Sequence, residues 1–177
     1  MIDYKTNSLL EKIKKNSVPV VLFGAGDMGE LVFNALRKRN IIAEYFCDSN
    51  KHKQGKLFYG KKIISPEDLS LMDRDKAIFI CNGQYVGVVS SLLNQMKFQF
   101  VYNVVDLLKN TDFSDIELDQ NKFSKLSIER QILLHEQNCL KARNNKDDKF
   151  HVSNVDIVIT ERCSLKCKDC ANLMQYY

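Results

Sequence analysis

At 177 residues, with 45% apolar and 27% charged residues, the chain has the make-up of a soluble globular protein holding one full domain and part of another. Its net charge of +4 is mild, and acidic residues interrupt or follow most of the lysine runs at 12–15, 51–62 and 143–149, so these read as solvated surface and no nucleic-acid partner is expected. No run approaches the ~18 apolar residues of a membrane span, and residues 1–16 lack the apolar centre of a signal peptide, so no membrane partner is expected and the expected location is the cytoplasm.

Ser8 and Glu11 fit a capping box, which predicts a short helix to about residue 16. Residues 18–23 form a continuous apolar run, the pattern of a strand buried on both faces of a parallel sheet. A glycine-rich turn follows, and then Met28, Leu31, Val32, Ala35 and Leu36 recur at helical spacing. Residues 41–47 read as a second strand, and 51–62, punctuated by Gly55 and Gly60, as a loop or small hairpin. Ser65 and Pro66 open a helix. A strand over 77–81, a helical stripe from Tyr85 to Met96 and a strand over 98–105 complete the alternation. Such alternation implies a parallel sheet covered by helices.

The acidic stretch 111–122 reads as a linker or exposed crossing, and residues 124–142 as a helix carrying Leu126, Leu133 and Leu140 at seven-residue steps, with Ile132 and Cys139 beside them. A polar turn leads to a short buried strand at 155–159. Cys47, Cys81 and Cys139 lie in apolar surroundings and read as core residues.

Gly24, Gly26 and Gly29 form a G-x-G-x-x-G loop between a buried strand and an amphipathic helix. The first glycine permits the turn, the second lets a phosphate approach the backbone, and the third lets the helix pack on the strand. Asp48, at the end of the second strand, stands where a carboxylate can accept from ribose hydroxyls. A turn kept for packing alone is the competing reading, and Gly26 is the position that separates the two. Residues 17–106 resemble the Rossmann-like N-terminal domains of bacterial sugar-nucleotide enzymes, which implies that the loop holds either NAD or a nucleotide-sugar. No Tyr-x3-Lys pair is present to support dehydrogenase chemistry.

Cys163, Cys167 and Cys170 follow the strand at 155–159, and their spacing brings three thiolates within reach of one inorganic centre. Arg162, Lys166 and Lys168 would favour thiolates there. A structural zinc site competes, but its fourth ligand would have to come from His151 or Cys139, outside the loop.

The Cys-x3-Cys-x2-Cys pattern after a strand resembles the signature of the radical S-adenosylmethionine superfamily. By that resemblance the three cysteines hold a [4Fe–4S] cluster and the open iron binds S-adenosylmethionine. Reductive cleavage then starts radical chemistry on a small-molecule substrate, with a reducing protein as electron donor. The resemblance makes the chain the inactive front piece of a longer enzyme. Its expected parts are a Rossmann-like nucleotide-binding domain (1–106), a linker and helix (107–150) and the first strand and cluster loop of a partial (β/α) barrel (151–177). The alternative is a nucleotide- or NAD-binding module with a metal-binding cysteine segment. Either way the oligomeric state stays open.

Overall fold

A computed structural model of the chain describes residues 6–15, 17–116, 118 and 122–144. The chain divides into two compact units, Met1–Lys146 and Asp147–Tyr177, and every described residue belongs to the first. The expected strand at 155–159 and the loop of Cys163, Cys167 and Cys170 lie outside the described residues.

The elements run α1 (Thr6–Lys15), β1 (Val20–Phe23), α2 (Asp27–Arg37), β2 (Ala43–Cys47), β3 (Leu57–Phe58), β4 (Lys61–Ile64), α3 (Pro66–Ser70), β5 (Ala77–Ile80), α4 (Val86–Gln95), β6 (Phe100–Asn103), α5 (Val105–Lys109) and α6 (Lys125–Asn144). Six strands make one sheet in the order β3-β4-β2-β1-β5-β6. All its pairings are parallel except that of β3 with β4. This is the expected helix-flanked α/β sheet of Rossmann-like form.

The apolar runs explain the order. Every residue of β1 and β5 is buried, and because successive side chains point to opposite faces, both faces of these strands must be covered. They pair in register from Val20 with Ala77 to Phe23 with Ile80, at the centre of the sheet. The edges are less apolar. β3 is only two residues long, with Leu57 exposed, and turns into β4 through Tyr59 and Gly60. Both turn residues have positive φ, 52° and 72°, as a two-residue hairpin of the primed kind demands.

α2 packs Leu31, Val32, Ala35 and Leu36 into the core. Ser65 caps α3 by a reciprocal pair of bonds with Asp68, at 3.0 and 3.1 Å, and Pro66 fills the first turn. α1 starts at Thr6, upstream of the cap expected at Ser8.

Two further departures have simple causes. The strand expected to reach residue 105 stops at Asn103, whose side chain accepts from the amide of Val105 at 2.9 Å and turns the chain into α5. On α6, Leu126, Leu133 and Leu140 are 75%, 52% and 49% exposed, while Ile128, Ile132, His135 and Cys139 are buried. The buried set has the three-and-four spacing of a helix lying on a core, and the seven-residue leucine row falls outside it. No helix among the described residues is long and apolar enough to cross a membrane.

A Cβ on Gly29 would lie 2.1 Å from the carbonyl oxygen of Gly24, a backbone atom that cannot swing away. Gly29→Ala is therefore expected to lose about 3 kcal/mol or more of stability by chemical denaturation. A loss within error would show that α2 shifts freely on the sheet.

Candidate functional site

From β1 the chain builds outward through β2 and β4, then crosses back to β5 and β6 on the other side. The order reverses between β1 and β5, and in open parallel sheets the ligand crevice lies at the carboxyl ends of the strands at such a point. Here that place is framed by the loop of Gly24, Gly26 and Gly29, by Asp48 after β2, and by Cys81, Asn82 and Gly83 after β5.

The three glycines are glycine for different reasons. Gly24 has φ of +123°, and a Cβ on it would meet the backbone of Cys81 and Asn82 at 3.2 and 3.3 Å. Its amide donates to the carbonyl of Cys47 at 2.7 Å, so the turn is bound to β2 as well as pressed on β5. Gly29 is required by packing, as described above. Gly26 precedes α2 at φ −143°, an extended conformation open to any residue, and a Cβ there would have nothing within 4 Å. Neither backbone nor packing demands glycine at 26.

Asp48 is already engaged. Its Oδ2 accepts from the amide of Ala25 at 2.9 Å and from Lys53 Nζ at 3.2 Å, and its Oδ1 accepts from the amide of Asn50 at 2.9 Å. Lys53 also donates to the carbonyl of Ala25 at 2.7 Å. The carboxylate thus ties the glycine loop to the end of β2, and one acceptor position on Oδ1 is left over. The Lys53 side chain is 40% exposed, so its ion pair contributes no more than about 1 kcal/mol and is readily exchanged.

A second cation reaches the loop from far along the chain. Lys122 Nζ lies 2.8 Å from Asp27 Oδ1 and 2.5 Å from Glu30 Oε2, both carboxylates of the first turn of α2. Glu30 is buried at 4% exposure, and its other oxygen accepts from the hydroxyl of Tyr59 at the hairpin tip. Burial, with the Glu30 carboxylate, pushes the Tyr59 hydroxyl up to about 12. Burial pulls Lys122 down, but its two carboxylate partners outweigh that and hold the ammonium above its usual range.

Beneath the strand ends, on both sides of β1, the thiols are buried. Burial raises the Cys47 and Cys81 thiols well above their ordinary value, and Cys139 rises to about 11 by burial beside Glu136. These three thiols stay protonated and are core residues, as their apolar surroundings predict. His135 of α6 is 1% exposed, neither ring nitrogen has a hydrogen-bond partner, and burial pushes it down to about 4. Its Nδ1 lies 2.8 Å from the place a Cβ on Gly83 would occupy.

Lys53, Lys122 and His135 escape sequence reasoning. Lys53 sits in a lysine-rich run, Lys122 in an acidic stretch and His135 amid a leucine-bearing helix, with no motif to mark any of them. A cavity of about 770 Å³ opens elsewhere, with Leu108, Phe113, Ile128 and Ile132 among its walls and no residue of the glycine loop or the β2 and β5 strand ends lining it. Among the described residues no cluster of three His, Cys, Asp or Glu side chains could hold a metal ion.

The family model described as C2185-like, N-terminal, matches residues 8–99, just over half of the chain, and the chain belongs to that family. The search of curated proteins found no match. Among solved structures the chain is similar to RSP, a Rex-family repressor, at 12% identity over 78% of this chain and 68% of that one, with a TM-score of 0.45. It is also similar to RSP in complex with β-NAD+ and operator DNA, at 12% identity over 81% and 69%, with a TM-score of 0.43. A third is RSP in complex with β-NADH, at 12% identity over 81% and 73%, with a TM-score of 0.42.

Two expectations are corrected. The family found is neither the radical S-adenosylmethionine superfamily nor the sugar-nucleotide enzymes that the sequence resembles. Three closely spaced cysteines make a signal a few residues long, whereas the match at 8–99 extends over most of the α/β sheet. The exclusion of nucleic acid as a partner is also withdrawn, because one of the similar structures holds operator DNA.

His135 sets a pH dependence. Its ring stays neutral in the folded chain down to about pH 4, whereas the unfolded chain takes up the proton near 6.5. Folding stability contributed at this site is intact above 6.5 and falls as pH drops toward 4, by on the order of 3 kcal/mol. Urea midpoints at pH 7.5 and 4.5 should show a smaller acid loss in His135→Leu than in wild type. Equal losses in the two proteins would remove His135 from the account.

Proposed function

We propose that this chain is a nucleotide-binding module whose glycine loop and α2 N-terminus take the phosphates of NAD or of a nucleotide-sugar. The observation that carries this reading is Gly26. A glycine kept only for the fold should be needed by its φ or by a neighbour, and Gly26 is needed by neither. Its missing side chain leaves open the space above the first free amides of α2, where the helix dipole favours an anion.

Three features support the reading. The site lies where the strand order reverses. Gly24 is held glycine by its positive φ and Gly29 by its close approach to the Gly24 carbonyl, which is what a phosphate-binding turn would ask of them. Lys53 and Lys122 bring two ammonium groups to the loop. Asp48 is less free than a dedicated ribose acceptor, since it holds Ala25, and its remaining acceptor position is the one a ribose hydroxyl would use. The cysteine loop takes no part in this reading.

Gly26→Val tests it. The new side chain would fill the phosphate space, while the backbone angles accept it and the helix cap loses about 1 kcal/mol or less. Calorimetric titration should find nucleotide binding in wild type and at least about a hundred-fold loss in the variant, with stability nearly unchanged. Absence of nucleotide binding in wild type, or equal binding by both proteins, would leave the glycine loop as a packing device.

A further inference from the structure

The crevice is open on one side of the switch point and filled on the other. A dinucleotide lies across such a crevice, one nucleotide over each half of the sheet. Gly26 and Gly83 face the two halves, and the absent side chain has opposite meanings at the two positions. At Gly26 a Cβ would meet nothing within 4 Å, whereas at Gly83 it would lie 2.8 Å from His135 Nδ1 and 3.3 Å from the His135 Cα. The loop that leaves β5 is pressed directly against the backbone of α6.

α6 is held there at two other points. Ala142 packs on Gly87 of α4, with its Cβ 3.1 Å from where a side chain on that glycine would begin. Glu136 pairs with Lys109 of α5 at 2.6 Å. The helix therefore runs from α5 past the end of β5 to α4, and His135, at 1% exposure, shows that no solvent remains between it and the loop. A second nucleotide over β5 and β6 would have to displace this helix.

The β1 and β2 side carries the charge. Lys53 donates to Ala25 and Lys122 pairs with Asp27, so the two ammonium groups hold the residues on either side of Gly26. Both side chains are partly exposed, at 40% and 35%; Lys53 can turn from Asp48 toward an anion placed over that glycine, while Lys122 stays on buried Glu30 and adds its positive charge beside it.

Resting on the nucleotide-binding reading, we infer that the site takes a single nucleoside diphosphate, free or as the head of a larger conjugate, and discriminates against a dinucleotide. The diphosphate sits over Gly26 between Lys53 and Lys122, the ribose lies toward Asp48, and α6 closes the far half of the crevice.

The test is calorimetric titration of the full chain with ADP, UDP, GDP and NAD+, with hydrogen exchange followed in each bound state. At least one diphosphate should bind about ten-fold or more tighter than NAD+. Protection should rise at residues 24–30 and 48–54 and stay unchanged at 82–86 and 130–142. NAD+ binding as tightly as the best diphosphate, or protection spreading into 82–86, would overturn the inference and leave the nucleotide-binding reading standing. No binding by any of the four would overturn both.

Discussion

The contact between Gly29 and the carbonyl of Gly24 is the constraint on which the strand-end architecture depends. Because neither residue has a side chain in the way, the first turn of α2 rests directly on the turn that leaves β1. The helix amides are thereby brought to the edge of the crevice, and Asp27 and Glu30 to the place where Lys122 and Tyr59 reach them. Asp48 adds a second tie by holding the Ala25 amide from the end of the neighbouring strand. Two adjacent strands thus fix the conformation of the loop, so that an anion bound there would carry little ordering cost.

Much of the sheet was legible in the sequence because its signals are local. The unbroken apolar runs at β1 and β5 mark central strands, and Gly24 to Gly29 could be read from spacing alone as the tight turn from a strand into a helix. What was hidden depends on distant partners. α5 arises because Asn103 turns the chain two residues ahead, a side-chain effect that no apolar period records. The leucine row of α6 drew attention by its regularity, yet the helix buries the rows beside it, since the surface it lies on is a core and not a second helix of matching period. Lys122 joins a carboxylate 92 positions earlier in the chain, and nothing in its own neighbourhood announces that. The cysteine loop shows the converse. A compact motif spoke loudly, and the family match, resting on the α/β sheet, went elsewhere.

Glu30 couples these parts. A carboxylate at 4% exposure has lost most of its hydration, and the loss is tolerable only because Tyr59 and Lys122 replace it. Such a buried pair adds little net stability, but removing one partner strands the other charge. The hairpin tip, the first turn of α2 and the segment entering α6 are therefore obliged to stay together. His135 is the opposite case, a buried polar ring with no replacement for water, which the surrounding contacts of α6 must offset.

The raised thiols of Cys47, Cys81 and Cys139 carry one more consequence. An alkylating reagent attacks the thiolate, and in the folded chain these sulfurs are both shielded and protonated. Their modification has to wait for the surrounding structure to breathe. Since one lies at the end of β2, one just after β5 and one on α6, the rate at which each is labelled becomes a local clock for the opening of a different wall of the crevice.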